Sequence, residues 1–358
     1  MSSPTPALRL AVCLVALGSL PLSAAEVIRP RVVVVTMFEV GQDTGDTPGE
    51  FQFWVEREKL DRVIPLPAGY HAVRANADGT VIGIVTGVGN TNAATSIMAL
   101  GLDPRFDLTK SYWLIAGIAG LDPSAASVGS AVWTDYVVEG DLAHEIDARE
   151  IPSGWKTGYV PLRKTMPYEK PLLPAAERAD NSYQLNPALL RWAFELTKGT
   201  PLNDSDSIRE FRSRYTETPA AQQPPSVLIG SNLASSTYWH GKLLNEWAQD
   251  WVAYYTDGKG HYVTTAMEDT GTLRALTNLT RAGRADVQRA LVLRTASNFD
   301  MQWPGITAAE SMSGEKLGNY SAFIPSLEAA HAVGSQVVHA LVKGWSDYEV
   351  TPPSHVAK

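Results

Sequence analysis

The sequence predicts an α/β protein with a mixed, largely parallel central sheet flanked by helices. Three observations point there. Runs such as Val32-Val33-Val34-Val35 and Ala290-Leu291-Val292-Leu293-Arg294-Thr295 are apolar on both faces, as strands covered on both sides are. Strand and helix patterns alternate from Val32 to Val138, which implies parallel pairing with helices on both faces. Polar groups also gather where strand patterns end, at Met267-Glu268 and at Ser297-Asn298-Phe299-Asp300. In open α/β sheets, ligands bind at the carboxyl ends of strands.

The first strand, Val32 to Val35, opens into Met37-Phe38-Glu39 and a loop rich in Gly, Asp and Thr, Gly41 to Gly49. A helix start follows at Glu50-Phe51-Gln52-Phe53-Trp54. Glu50 reads either as a first-turn carboxylate favoured by the helix dipole or as a functional group. Val81 to Thr86 is a second strand. The turn Gly87-Val88-Gly89-Asn90-Thr91-Asn92-Ala93-Ala94 leads from it into a helix through about Leu102. Such a turn can hold an anion on free N–H groups, and it equally serves close strand–helix packing.

Tyr112 to Ala116 is a third strand, ending in Gly117-Ile118-Ala119-Gly120-Leu121, and Ala131 to Val138 a fourth. Residues 150–225 carry ten prolines and two helical pieces, near 186–198 and 205–215. They read as a Pro-rich insertion or lid, because no independent apolar strand set is visible. Ser226 to Gly230 resumes the sheet. The polar and aromatic loop Ser231 to His240, with Asn232, Tyr238 and Trp239, precedes an amphipathic helix to about Trp251. Tyr262 to Thr265 is a strand, Leu273, Leu276 and Leu279 mark a helix that Gly283 can close, and Pro325 to Val342 is the last helix.

The N-terminus reads as a secretory signal over residues 1–25. Arg9 is a weak positive n-region, and Leu10 to Leu20 is an apolar stretch too short to span a bilayer. Ser23 and Ala25 are the small residues at the cleavage site. The only cysteine, Cys13, lies inside this segment, so the mature chain has neither disulfide nor thiol chemistry. Removing Arg9 takes the formal charge from −8 to −9. That sign argues against a nucleic-acid or anionic-membrane partner, and no Lys/Arg cluster overrides it. No later stretch approaches 18 apolar residues, so no membrane insertion is expected after cleavage. Export, to the periplasm, and a single domain over 26–358 follow as expectations.

The seven histidines show no HxH or HExxH spacing, and there is no GxSxG elbow. We therefore expect no metal, no cofactor and no nucleophilic serine site. What remains is carboxylates and amides at strand ends with aromatics beside them. Carboxylates accept hydroxyls, an aromatic stacks on a flat base, and Asn bonds a heterocycle edge. The same groups suit cleavage of a sugar–base bond through an oxocarbenium-like state.

Over the mature chain, the sequence resembles the purine nucleoside permease (NUP) family. The residues that carry the resemblance are Val33 to Glu39, Asp43 to Phe51, Gly87 to Ala94, Ala116 to Pro123 and Ala266 to Gly271. More distantly it is similar to the nucleoside phosphorylase and nucleosidase superfamily. That group's Gly-x-Gly-x-x-x-Ala-Ala turn, Gly-x-Ala-Gly turn, Met-Glu pair and Ser-Asn strand end stand here, in order, at 87–94, 117–120, 267–268 and 297–298.

The resemblance implies a nucleoside phosphorylase-like fold and a purine nucleoside ligand. It implies that Glu268, after Met267, holds the ribose. It places Tyr238, Trp239, Asn232 and Ser297 around the base, and Gly87, Gly89, Asn90 and Gly117 in turns near the ligand. Glu50, Asn298 and Asp300 then form the catalytic group. Glu50 activates water, Asn298 contacts the purine at N7, and Asp300 substitutes as acid. Where phosphorylases carry Arg and Ser for phosphate, this chain has Ile115 and Ile118, which leaves only Arg294 or the turn at 87–90 for that role. The resemblance thus implies hydrolysis of the N-glycosidic bond outside the cytoplasmic membrane. The alternatives are a non-catalytic uptake component and, third, phosphorolysis. It also admits a homo-oligomer.

Overall fold

A computed structural model describes residues 27–314 and 321–355. The signal segment and Cys13 lie outside the described residues. The chain forms twelve strands there: β1 Val32–Thr36, β2 Arg62–Ile64, β3 Val73–Ala75, β4 Val81–Val85, β5 Tyr112–Leu121, β6 Ala131–Glu139, β7 Ala143–Glu145, β8 Tyr159–Pro161, β9 Ser182–Gln184, β10 Val227–Ala234, β11 Tyr262–Ala266 and β12 Ala290–Phe299. The helices are α1 Gln52–Arg57, α2 Asn90–Leu102, α3 Pro187–Thr197, α4 Asp206–Arg212, α5 Lys242–Tyr255, α6 Asp269–Arg281, α7 Ala308–Gly314, α8 Phe323–Lys343 and α9 Trp345–Tyr348.

The main sheet runs β11-β10-β6-β12-β5-β1-β4-β3-β2, with β9 added to β6. Two blocks are parallel, β4-β1-β5-β12 and β6-β10-β11. They meet along two antiparallel seams, β12 with β6 and β11 with β5. The second seam closes β5, β12, β6, β10 and β11 into a ring.

Alternation along the apolar runs explains the layers. Val32 and Val34 face Trp54 of α1, Leu189 of α3 and Val337 of α8. Val33 and Val35 face Ile97 of α2 and Leu276 of α6. Both faces are therefore buried, and each such side chain contributes about 1.5–3 kcal/mol. Helix α5 turns Trp247, Trp251 and Tyr255 onto Leu233 of β10 and Tyr262 of β11, at the spacing of one helical face.

Four expectations change. Gly117 to Gly120 is not a turn but part of β5. Its backbone is held by β12, from Arg294 opposite Gly117 to Phe299 opposite Leu121, and by β11 at Thr264 and Thr265. β12 runs on to Phe299, with a register shift that leaves Ser297 as an extra residue between Ala296 and Asn298. Such bulges re-aim side chains and recur beside active sites. β10 extends to Ala234, so Asn232 sits in a buried strand rather than a loop. The Pro-rich stretch is not a lid. Its α3 buries Leu189, Leu190, Trp192 and Ala193 in the main core, and its β9 pairs with β6.

Candidate functional site

Where β5 meets β12 on one side and β11 on the other, the described residues enclose a cavity of about 250 Å³. Met37 and Phe38 after β1, Glu50 before α1, Ile118 to Gly120 of β5, and the ends of β11 and β12 form its walls. None of residues 150–225 lines it.

At one end four charged side chains converge. Glu50 is 6% exposed. Its carboxylate accepts the Met37 N–H at 2.7 Å and the Ile118 N–H at 2.7 Å. Burial is the largest influence on its proton. It pushes the pKa up to about 8, opposed by the Arg294 charge and aided by that of Glu268. The two backbone donors, which favour the charged form, are outweighed.

Glu268 ends β11. It accepts N–H groups from Gly89 at 3.3 Å and Met267 at 3.2 Å, and Arg294 Nη2 at 3.2 Å. Burial raises its pKa too, against the Arg294 charge. Arg294, 1% exposed, donates through Nε and Nη2 to Asp269, nearest at 2.6 Å, and through Nη1 to the Ile118 carbonyl at 3.0 Å. Burial alone would lower its pKa. The Asp269 and Glu268 charges hold it above the ordinary guanidinium value.

Gly117 makes this convergence possible. A Cβ there would lie 2.0 Å from Met37 Cε, 2.5 Å from Glu50 Oε1 and 2.7 Å from Arg294 Nη1.

The other end is built by the β12 bulge and the loop after β10. Ser297 Oγ donates to Asn298 Oδ1 at 2.8 Å, and Asn298 Nδ2 donates to the Tyr238 hydroxyl at 3.3 Å and the Phe299 carbonyl at 3.1 Å. Asp300 accepts from Asn245 Nδ2 at 3.0 and 3.2 Å and from the Tyr262 hydroxyl. Tyr238, 41% exposed, stands at the mouth, and Trp239, 6% exposed, forms a wall packed on Trp247.

The structure thus brings Glu50, Met267, Glu268, Tyr238, Trp239, Ser297, Asn298 and Asp300 around one cavity. It does not bring Asn232 there. Both ends of that amide are engaged behind the wall, Nδ2 with Asp269 at 2.5 Å and Oδ1 with the Thr264 hydroxyl at 3.0 Å. Gly87 and Asn90 also stay outside the lining. Asn90 Oδ1 instead ties α2 to α6, accepting from Thr270 Oγ1 and the Gly271 N–H, both at 2.9 Å. Gly89 reaches the site through its N–H, and Gly117 by the space it leaves. The sequence offered Arg294 only as a stand-in for a phosphate ligand, and Asp269 not at all; the fold pairs the two with each other. The available signal was a lone charge in an otherwise apolar strand.

The fold is a nucleoside phosphorylase- and nucleosidase-like α/β fold. Among solved structures, the chain is similar to 5'-methylthioadenosine/S-adenosylhomocysteine nucleosidase of Helicobacter pylori. One such structure gives a TM-score of 0.51 at 13% identity, covering 87% of this chain and 99% of that one. A second gives 0.50 at 12% identity, covering 88% and 98%. The model of the purine nucleoside permease (NUP) family matches residues 29–353. The chain belongs to the purine nucleoside permease family. It is 31% identical over 334 residues to a Schizosaccharomyces pombe protein named "probable purine nucleoside permease", covering 89% of this chain and 91% of that one. It is 30% identical over 324 residues to a purine nucleoside permease of Candida albicans, covering 88% and 76%.

Proposed function

We propose that the chain binds purine nucleosides outside the cytoplasmic membrane and cleaves their N-glycosidic bond with water. The observation that carries this reading is the convergence of Glu50 and Glu268 on Arg294 at one end of a cavity whose other end holds Asn298, Tyr238 and Trp239.

In this reading Glu268 accepts ribose hydroxyls, Trp239 and Tyr238 flank the base, and Asn298 Nδ2 exchanges its 3.3 Å bond to the Tyr238 hydroxyl for one to purine N7. The C1'–N9 bond breaks with its electron pair going to the purine. Asn298 eases that departure, and the base takes its proton from solvent, to which Glu50 afterwards returns the one it has taken from water. A water oxygen forms the new bond to C1', and Glu50 takes the water's proton. Positive charge developing on the sugar is favoured by the surrounding carboxylates. Asp300 enters as an acceptor, since Asn245 and Tyr262 both donate to it.

Among the described residues, the charged end offers phosphate no free cation. The one guanidinium of the charged end is engaged by Asp269, Glu268 and the Ile118 carbonyl. Carboxylates outnumber it there, which disfavours an anion. The relatives' name favours a second reading, capture of nucleosides for uptake without chemistry. Among the described residues, no helix is long and apolar enough to cross a membrane.

The test is to incubate the mature protein with inosine, guanosine and adenosine, with and without phosphate, and to measure free base. Release without phosphate supports hydrolysis. Tight binding without release supports uptake. Release only with phosphate overturns the account of the charged end.

A further inference from the structure

The loop Gly41 to Gly49 contributes no side chain to the cavity, yet it is fastened at several points. Asp43, 9% exposed, pairs with Arg74 Nε at 2.7 Å and His71 Nε2 at 3.1 Å, fixing the loop to β3. Glu56 Oε1 accepts the Gly45 N–H at 3.1 Å. The tightest fastening is Glu39. One oxygen accepts the N–H groups of Val40, at 2.8 Å, and Gly49. The other accepts those of Phe51 at 2.8 Å and Gln52 at 2.6 Å.

Part of this is helix capping. Phe51 and Gln52 begin α1, whose first N–H groups have no partner within the helix. Capping does not explain the Gly49 contact. Nor does it explain why residue 49 has no side chain: a Cβ there would lie 2.7 Å from Glu39 Cα, 2.7 Å from Glu39 Oε1 and 2.8 Å from Val40 N. Segments 37–40 and 49–52 are clasped in both directions. Glu39 binds N–H groups on either side of residue 50, the Glu50 N–H donates to the Phe38 carbonyl at 3.1 Å, and Glu50 Oε2 accepts the Met37 N–H.

We propose that Glu39 is the positioning residue for Glu50, holding the backbone on both sides of it so that its carboxylate is aimed at Ile118 and the cavity. This rests on the reading of Glu50 as the group that activates water. It assigns the Gly41 to Gly49 loop a purpose, as a strut rather than a lid. Misplacing a catalytic group by about 1 Å can cost about 100-fold in rate.

The experiment compares Glu39→Gln, Gly49→Ala, Glu50→Gln and the control Asp46→Asn, whose carboxylate accepts the Gln42 N–H in the same loop. Inosine hydrolysis is followed against pH, thermal unfolding is recorded, and an infrared titration tracks the Glu50 carboxyl, assigned by its loss in Glu50→Gln. Glu39→Gln and Gly49→Ala should lower kcat by about 10- to 100-fold with KM within about threefold. They should also move the Glu50 midpoint from about 8 towards the ordinary carboxylate range, while Asp46→Asn matches the parent. If Glu39→Gln melts earlier but keeps the parent's kcat and Glu50 midpoint, Glu39 is only a cap and the proposal falls. If the parent releases no base, the hydrolytic reading falls alone, and an unchanged midpoint in Glu39→Gln still decides against the clasp.

Discussion

Arg294 and Gly117 are register partners on adjacent parallel strands, and the guanidinium occupies the space that a side chain at 117 would fill. Glu50 reaches the same gap from the segment before α1. Gly117→Ala should therefore displace both groups. We expect base release to fall by at least about 100-fold while circular dichroism keeps the parent's helix and strand content. Parent-like turnover would show that the charged end tolerates rearrangement.

Glu268 touches Arg294, the Gly89 turn and the cavity together. Glu268→Gln should cut kcat on inosine by about 10²–10³, the scale of one lost electrostatic stabiliser, and should weaken discrimination between ribosides and 2'-deoxyribosides. Steady-state kinetics on both sugars check this. Near-parent values would remove Glu268 from the site.

Glu50 must be charged to take a proton from water. Burial raises its pKa to about 8, so the charged form is lost as pH falls through that value. The kcat/KM for inosine should rise with pH and level off above about 8. A profile flat from pH 6 to 9 would contradict the assignment of Glu50 as base.

Removing the cation leaves Asp269 buried with, among the described residues, only Asn232 as a side-chain donor. Arg294→Met should cost about 3–5 kcal/mol in urea unfolding, as breaking a buried pair does. Adding Asp269→Asn should recover part of that loss. A single variant as stable as the parent would mean that water already reaches Asp269.

Much of the fold is legible in the sequence, for a local reason. Val32 to Val35, Val81 to Val85 and Leu291 to Leu293 are apolar on both faces because helices cover both, and that shows without knowing which helices. Glu268 and Asn298 are legible as site residues because each follows or ends such a run. What escapes reading depends on distant pairing. Gly117 and Gly120 look like a turn until β12 and β11 are placed beside them. Asn232 looks like a loop amide until β10 is seen to continue between β6 and β11. Arg294 needs a partner 25 residues earlier in the chain, and only the folded sheet brings Asp269 to it.

The seam between β11 and β5 has a consequence for how the molecule behaves in company. By pairing with β10 on one side and with β5 at Thr264 and Thr265 on the other, β11 is not left as an open edge. Among the described residues, the open edges of the large sheet fall to β2 and β9, each three residues long. β2 carries Arg62, whose guanidinium donates to the Ala77 carbonyl. Short, charged edges are poor templates for a neighbouring chain. The closure that shapes the cavity therefore also guards a crowded, freshly folded population of this protein against strand-to-strand aggregation.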